Sequence, residues 1–351
     1  MMILVTGASG FLGRHVVAAL RERGHQIRAM VRPAADTKAL DWQDVDVFRA
    51  DLRGDCDLTA AFDDVDLLVH LAACVVGDDS DHLASTVVGT ERLLHAMARS
   101  HTRRLILAST FSVYACSVRG TLDECSPLEG AAVYERGAYA IAKLWQERIT
   151  REFAARHNWL LTILRPGIIW GAGNLLPGAV AQPLGRRDVI IGPNRRLPLT
   201  YVENCADCFA AASEHPAAAG EVFNVLDDDR ITAWQFVREH RRQTHSARPT
   251  FLIPYGLSYA AAAGATAVSR ILLGPGGKLP SLLMPSRLAV FKPMRFSSRK
   301  AKSVLEWTPR WTFEERWCRA MRMAAPMSAS GPASERGVHK LPRTEAQCDP
   351  N

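Results

Sequence analysis

The sequence predicts an α/β protein: a doubly wound parallel sheet with helices on both faces, followed by a smaller, discontinuous C-terminal region suited to holding a substrate. Three observations predict it. Short β-branched runs alternate with helix-patterned segments through the first half of the chain. A glycine-rich turn joins the first such run to the first helical pattern. After Gly167 the alternation gives way to loops, Pro/Gly punctuation and shorter elements.

Taken in order, strands are read at 3–6 (ILVT), 26–31 (QIRAMV), 45–50 (VDVFRA), 66–72 (DLLVHLA) and 104–109 (RLILAS). Between them HVVAALRERG, TAAFDD and TERLLHAMARS carry apolar residues at helical spacing, and Gly24 stops the first helix as a C-terminal glycine does. This is the βαβ rhythm of a parallel sheet, whose crossovers place helices on its faces. A longer helical run over 138–157 leads into LLTILRP, a sixth strand of the continuously apolar type, ended by Pro166. Beyond it GIIWGAGNLLPGAVAQP is loop-rich; DVIIG and EVFNV read as strands and ENCADCFAAASEH as a helix. Residues 328–351 have almost no apolar side chains and read as a disordered tail.

The chain has 351 residues, 48% hydrophobic and 23% charged, a globular composition of a length that favours two domains or one large fold with an appendage. The net charge of +7 is spread over scattered arginines and does not imply nucleic-acid binding. Eight cysteines lack the density of a disulfide framework and suit reduced thiols in a cytoplasm. Cys205 and Cys208 form one CxxC on an alanine-rich helix, which cannot complete a four-ligand zinc site, so no metal is expected. The N-terminus enters a strand directly and lacks the regions of a secretory signal. Residues 251–269 contain no charge but are only weakly apolar, which predicts a buried or lid-forming helix, with peripheral membrane contact as the alternative.

The first chemistry-bearing motif is Gly7-Ala8-Ser9-Gly10-Phe11-Leu12-Gly13, placed between a strand and a helix. Glycines let the chain turn sharply and let backbone N–H groups approach a pyrophosphate, and the helix N-terminus adds a dipole favourable to negative charge. With a βαβ unit around it, this arrangement predicts a Rossmann-type dinucleotide site.

The spacing GxxGxxG resembles the short-chain dehydrogenase/reductase superfamily, specifically its extended epimerase/dehydratase branch. The further matches run in order: Asp51-Leu52 resembles the branch's adenine-contacting acid and its neighbour, and Leu71-Ala72-Ala73 its cofactor-lining turn. Ser109-Thr110-Phe111-Ser112-Val113-Tyr114 resembles its active-site strand, Tyr139-Ala140-Ile141-Ala142-Lys143 its YxxxK, and Leu164-Arg165-Pro166-Gly167 its next strand end. The resemblance covers roughly residues 2–320. It implies an NAD(P)-binding domain over 1–168, with later contributions from about 200–226 and 303–320, and a substrate-binding cap over 169–302. It also suggests a homodimer.

The i,i+4 spacing of Tyr139 and Lys143 puts both side chains on one helix face. A phenol with a reference pKa of about 10 is a poor base at neutral pH, but a nearby ammonium and a nicotinamide cation favour the phenolate. Tyr139 then exchanges a proton with a substrate hydroxyl. By the resemblance Lys143 also holds the nicotinamide ribose, and Thr110 orients the substrate oxygen. Either Ser109 or Thr110 could be the family hydroxyl, but counting back from Val113-Tyr114 puts Thr110 in the catalytic position. Tyr134 is too far from Lys143 for the helical pairing.

An NAD-preferring site commonly carries an acid at the end of the second strand; this chain has Val31-Arg32, and an arginine there pairs with a 2′-phosphate. NADP(H) is therefore expected, with NAD(H) as the alternative. One departure from the branch is Thr86, standing before Val87-Val88-Gly89-Thr90 where asparagine is typical, which bears on active-site hydration.

The second half resembles the part of this branch that contains 3β-hydroxysteroid dehydrogenases, dihydroflavonol reductases and related sugar epimerases. Leu197-Pro198-Leu199 precedes Thr200-Tyr201-Val202, where nucleotide-sugar epimerases usually show an arginine for the substrate pyrophosphate. Hydride transfer at a secondary alcohol or carbonyl of a small, fairly apolar substrate is thus the expected reaction. The alternatives are a nucleotide-sugar epimerase/dehydratase, for which Arg195 and Arg196 could meet a phosphate, and a non-catalytic dinucleotide-sensing protein.

Overall fold

The computed structural model describes residues 1–324 except 39, 41, 131, 132, 134, 135 and 274–287. Tyr134, the punctuated stretch at 274–285 and the tail at 328–351 lie outside the described residues for the positions they share with those gaps.

The strands are β1 Met2–Thr6, β2 Gln26–Val31, β3 Asp46–Arg49, β4 Leu67–His70, β5 Arg104–Ala108, β6 Thr121–Leu122 and β7 Leu160–Pro166. They continue as β8 Ile168–Trp170, β9 Gln182–Leu184, β10 Arg187–Ile191, β11 Leu199–Tyr201, β12 Val222–Val225, β13 Thr250–Ile253 and β14 Arg295–Phe296. The helices are α1 Phe11–Glu22, α2 Asp79–His82, α3 Gly89–Ala98, α4 Ala138–His157, α5 Val202–Glu214, α6 Ala233–Thr244, α7 Tyr255–Leu273, α8 Arg299–Leu305 and α9 Phe313–Ala324.

Seven strands form one sheet in the order β12-β7-β5-β4-β1-β2-β3, and every neighbouring pair in it is parallel. The order reverses between β1 and β4, which opens a crevice at the carboxyl ends of those strands, the place where such sheets bind ligands. Because helices cover both faces, the central strands are buried on both sides, and β4 has no exposed residue. On one face α1 (Val16, Val17, Leu20) and α5 (Cys205, Cys208, Phe209) pack together. On the other lie Leu93, Leu94 and Met97 of α3 and Phe153 of α4. The Cys205 and Cys208 thiols are fully buried there, and burial pushes both upward, away from the thiolate.

A second core joins the later elements. Trp170, Tyr201, Phe236, Phe313 and Trp317 come from β8, β11, α6 and α9, and the Trp170 and Trp317 rings lie 4.8 Å apart between centroids. Arg316, next to this cluster, is 2% exposed and forms ion pairs with Asp227 and Asp229, just past β12. Asp227 also accepts from the Tyr201 backbone N–H at 2.7 Å and from Asn204 at 2.8 Å, so one buried carboxylate ties α9, α5 and β11 to the sheet edge.

Of the expectations for the uncharged stretch, burial is the one the structure overturns. The stretch divides into β13, which pairs parallel with β10, and α7, and it is not buried: Leu257 is 64% exposed, Val268 54% and Phe251 46%. Its alanines and glycines offer little area to pack, and among its described side chains only Ala262 and Ser269 are buried. Among the described residues no helix is long and apolar enough to cross a membrane.

Arg316→Leu should leave Asp227 as a buried carboxylate without its cation, at a cost of about 3–5 kcal/mol. Urea denaturation reads this directly, and adding Asp227→Asn should restore part of the loss; wild-type stability in the single variant would show that the pair contributes nothing.

Candidate active site

The crevice is lined first by the β1–α1 turn. Gly7 has φ +68°, and a Cβ there would lie 2.9 Å from the Ala72 backbone nitrogen, so only glycine lets this turn sit against Leu71-Ala72-Ala73 beyond β4. A Cβ at Gly13 would stand 2.1 Å from the Gly7 carbonyl oxygen, which is why the helix starts so close beneath the turn. Gly10 caps α1 without a side-chain hydrogen bond, and the first turn, which begins Phe11-Leu12-Gly13, contains no acid. Gly10 returns its N–H to the Gly7 carbonyl at 3.0 Å and so closes the turn, while the first-turn N–H groups of α1 that follow have no carbonyl of their own helix to meet; with the uncompensated helix dipole they are, beside Ser9, a fit for a pyrophosphate.

Flanking strands bring the other expected cofactor residues to the same edge. Arg32 follows β2 and is exposed. Asp51 and Leu52 follow β3, with Leu52 buried and Asp51 hydrogen-bonded by Arg53 at 3.0 Å. That bond, followed by weaker help from Arg32, holds the Asp51 carboxyl below its usual range. Sequence reasoning missed Arg53, which claims the acid expected to meet adenine. Pro166 closes β7.

The catalytic candidates converge between β5 and α4. Thr110 follows β5, and its hydroxyl accepts from the Ser112 N–H at 3.2 Å. Ser109 turns the other way and donates to Glu147 at 2.7 Å. Of the two adjacent hydroxyls, it is Thr110 that lies beside the Tyr139 phenol. Tyr139 and Lys143 sit one turn apart on α4, as the spacing predicts.

Their electrostatics depart from expectation in one respect. Burial pushes the Tyr139 phenol up, with the Thr110 hydroxyl acting in the opposite direction, and Lys143 does not offset that rise. The reason is where the ammonium points: Lys143 Nζ donates to the Ala108 carbonyl and to Gln146 Oε1, each at 2.5 Å. Lys143 is 3% exposed, and burial lowers it to about 7 against the pull of Glu147.

Further groups surround the site, and of these Glu147 and His82 are not predicted by any motif in the sequence. Glu147 is fully buried and ion-paired with Arg165 of β7 and, at 3.0 Å, with Arg151; its place four residues after Lys143 could have revealed it. The Arg165 guanidinium lies 4.7 Å from the Tyr114 ring centroid. His82, buried in α2, meets the Tyr139 ring edge-on at 6.1 Å. Thr86, the residue standing for asparagine, lies in a π-helical segment at Leu83–Val88 and accepts from the Cys74 N–H at 2.9 Å.

Comparison with known proteins agrees with the fold. Residues 3–225 match the family model described as the NAD dependent epimerase/dehydratase family. The chain is 26% identical, over 97% of its length, to the 3beta-hydroxysteroid-dehydrogenase/decarboxylase isoform 2 of Arabidopsis thaliana, and spans 65% of that protein's length. It is 27% identical, over 89% of its length and 87% of the relative's, to the decarboxylating sterol-4-alpha-carboxylate 3-dehydrogenase of Mus musculus. Among solved structures, UDP-glucuronic acid 4-epimerase from Bacillus cereus, in complex with UDP-glucuronic acid and NAD, superposes with a TM-score of 0.70 at 18% identity, covering 93% of this chain and 100% of that one. At that identity the likeness establishes the fold.

Proposed function

The chain belongs to the NAD dependent epimerase/dehydratase family, and on that footing we propose that it transfers hydride between a nicotinamide dinucleotide and a secondary alcohol or ketone of a fairly apolar substrate. The observation that carries the reading is the meeting of Thr110, Tyr139 and Lys143 at the carboxyl edge of the sheet, beside a glycine turn shaped for a pyrophosphate. A bound dinucleotide would supply the hydride-accepting or hydride-donating ring. Tyr139 moves the proton to or from the substrate oxygen, Thr110 hydrogen-bonds that oxygen, and Lys143, one turn along the helix, would hold the nicotinamide ribose.

Two matched relatives are named for hydroxysteroid and sterol-carboxylate dehydrogenation, which favours a polycyclic apolar alcohol. The substrate-side residues agree. Leu197 and Leu199 are buried apolar side chains where a phosphate-binding arginine would serve a nucleotide sugar. Arg195 is itself buried and spends its guanidinium on the Ile191 and Ala179 carbonyls and on the Phe291 ring, at 5.0 Å. These contacts withdraw Arg195 from a phosphate and weigh against the nucleotide-sugar alternative, which is left with the exposed Arg196.

NADPH is the preferred coenzyme in this reading, since the end of β2 offers the exposed Arg32 and no acid to a 2′-phosphate. The apolar, exposed side chains of β13 and α7, among them Phe251, Leu257 and Val268, form a surface suited to resting on a lipid bilayer, where an apolar substrate would be drawn from. The free thiols among the described residues suit a reducing cytoplasm.

Tyr139→Phe should lower kcat by about a hundredfold to ten-thousandfold while leaving coenzyme affinity intact, measured by coenzyme absorbance and fluorescence titration; near-normal turnover would refute the assignment. Arg32→Ala should lower kcat/KM for NADPH by about tenfold, the worth of one charge-assisted hydrogen bond, and leave that for NADH unchanged. A wild-type preference for NADH would end the NADPH reading. In flotation with phosphatidylcholine vesicles the full chain should rise with the lipid, and Leu257→Asp with Val268→Asp should leave it in the dense fraction; equal distribution of the two proteins would remove the membrane role.

A further inference from the structure

We propose that Gln146 is a positioning residue for Lys143, an amide held in one orientation so that it fixes the ammonium with a neutral acceptor. This rests on the reading of Lys143 as part of the catalytic set. The orientation follows from counting protons. Gln146 is fully buried, and its amide nitrogen lies 2.9 Å from Thr90 Oγ1 and 3.2 Å from the Ala72 carbonyl. The Thr90 hydroxyl proton is already given to the Thr86 carbonyl at 2.6 Å, so toward Gln146 it only accepts. The Ala72 carbonyl accepts as well. The amide nitrogen must therefore face Thr90 and Ala72, and the amide oxygen is left facing Lys143 at 2.5 Å.

The same count fixes His70 at the end of β4. Its Nε2 lies 2.8 Å from the Thr90 oxygen, whose proton is spent, and 3.1 Å from the Gln146 amide nitrogen, whose two hydrogens go to Thr90 and Ala72; Nε2 therefore carries the hydrogen and donates to Thr90. Its Nδ1, 2.6 Å from Thr6 Oγ1, then accepts from that hydroxyl. Burial lowers His70 to about 3, so the ring is neutral. The amide thus stands on a closed network that reaches β1 through Thr6, β4 through His70 and α3 through Thr90.

The ionisable groups around Lys143 are accounted for in turn. Glu147 on the same helix is engaged by Arg165 of β7, by Arg151 and by Ser109. Tyr139, one turn back, stands against His82 of α2. His70 of β4 is neutral. The hydrogen bonds that the ammonium makes go to two neutral oxygens, Ala108 and Gln146, and one of them is set by a side chain that also grips the cofactor-lining turn at Ala72. A carboxylate in the place of Gln146 would bind the ammonium more tightly and make it slower to release a proton; an alkyl group would do the reverse.

The test follows the 13Cε resonance of Lys143 with pH in the full chain, assigned by its loss in Lys143→Arg. The wild type should titrate near 7. Gln146→Glu should raise the midpoint by about one unit or more, and Gln146→Leu should lower it. The high-pH limb of kcat/KM should move in the same directions. Unmoved Lys143 midpoints in whichever of the two variants fold, judged by circular dichroism, would overturn the positioning role, since a purely structural glutamine would change stability alone. If the resonance moves and the kinetic limb stays in place, Gln146 positions Lys143 and it is the catalytic part of Lys143 that fails.

Discussion

The candidate catalytic edge of this protein depends on a carboxylate that is already committed. Glu147 is fully buried, and a bare carboxylate at that depth would cost several kcal/mol. Arg165, Arg151 and Ser109 satisfy it, and in doing so they bind α4 to the ends of β5 and β7. Two consequences follow for the chemistry. Ser109 is turned away from the crevice, which leaves Thr110 as the hydroxyl beside Tyr139. Lys143, one turn earlier on the helix, is denied a carboxylate of its own and settles on the neutral oxygens of Ala108 and Gln146.

What the sequence made legible is what short-range geometry controls. The glycine turn, the boundaries of α4 and the pairing of Tyr139 with Lys143 each depend on residues within a few positions of one another. The parallel sheet was readable because its strands are short apolar runs at regular intervals. The network behind Lys143 was not, because Thr6, His70, Thr90 and Gln146 come from four separate elements and meet only once the sheet is assembled. Arg53 was overlooked for a related reason: a charged residue two positions from Asp51 looks like surface until the turn folds it back onto the acid.

The second half shows the limit more sharply. Its core gathers Trp170, Tyr201, Phe236 and Trp317 across long stretches of chain, and no periodicity within one segment announces that cluster. The uncharged stretch illustrates the opposite error. Absence of charge predicts a buried or lid-forming helix, and burial fails because small side chains bury little area each and α7 keeps Leu257 and Val268 outside. Apolar composition and burial part company where the residues are too small to repay packing. The exposure of α7 is therefore a property of its surface, open to whatever it rests against.

Burial acts on the two proposed catalytic groups in opposite directions and toward the same end. It raises the Tyr139 phenol and lowers the Lys143 ammonium, so each is biased toward its uncharged form. A site arranged this way holds little charge until something else brings it. A nicotinamide cation beside the phenol would shift the balance toward phenolate, and an ammonium near neutrality is well matched to exchanging a proton with it. Dryness, which leaves the phenol a poor acid and takes charge from the amine, is what makes their response to one nearby positive charge large.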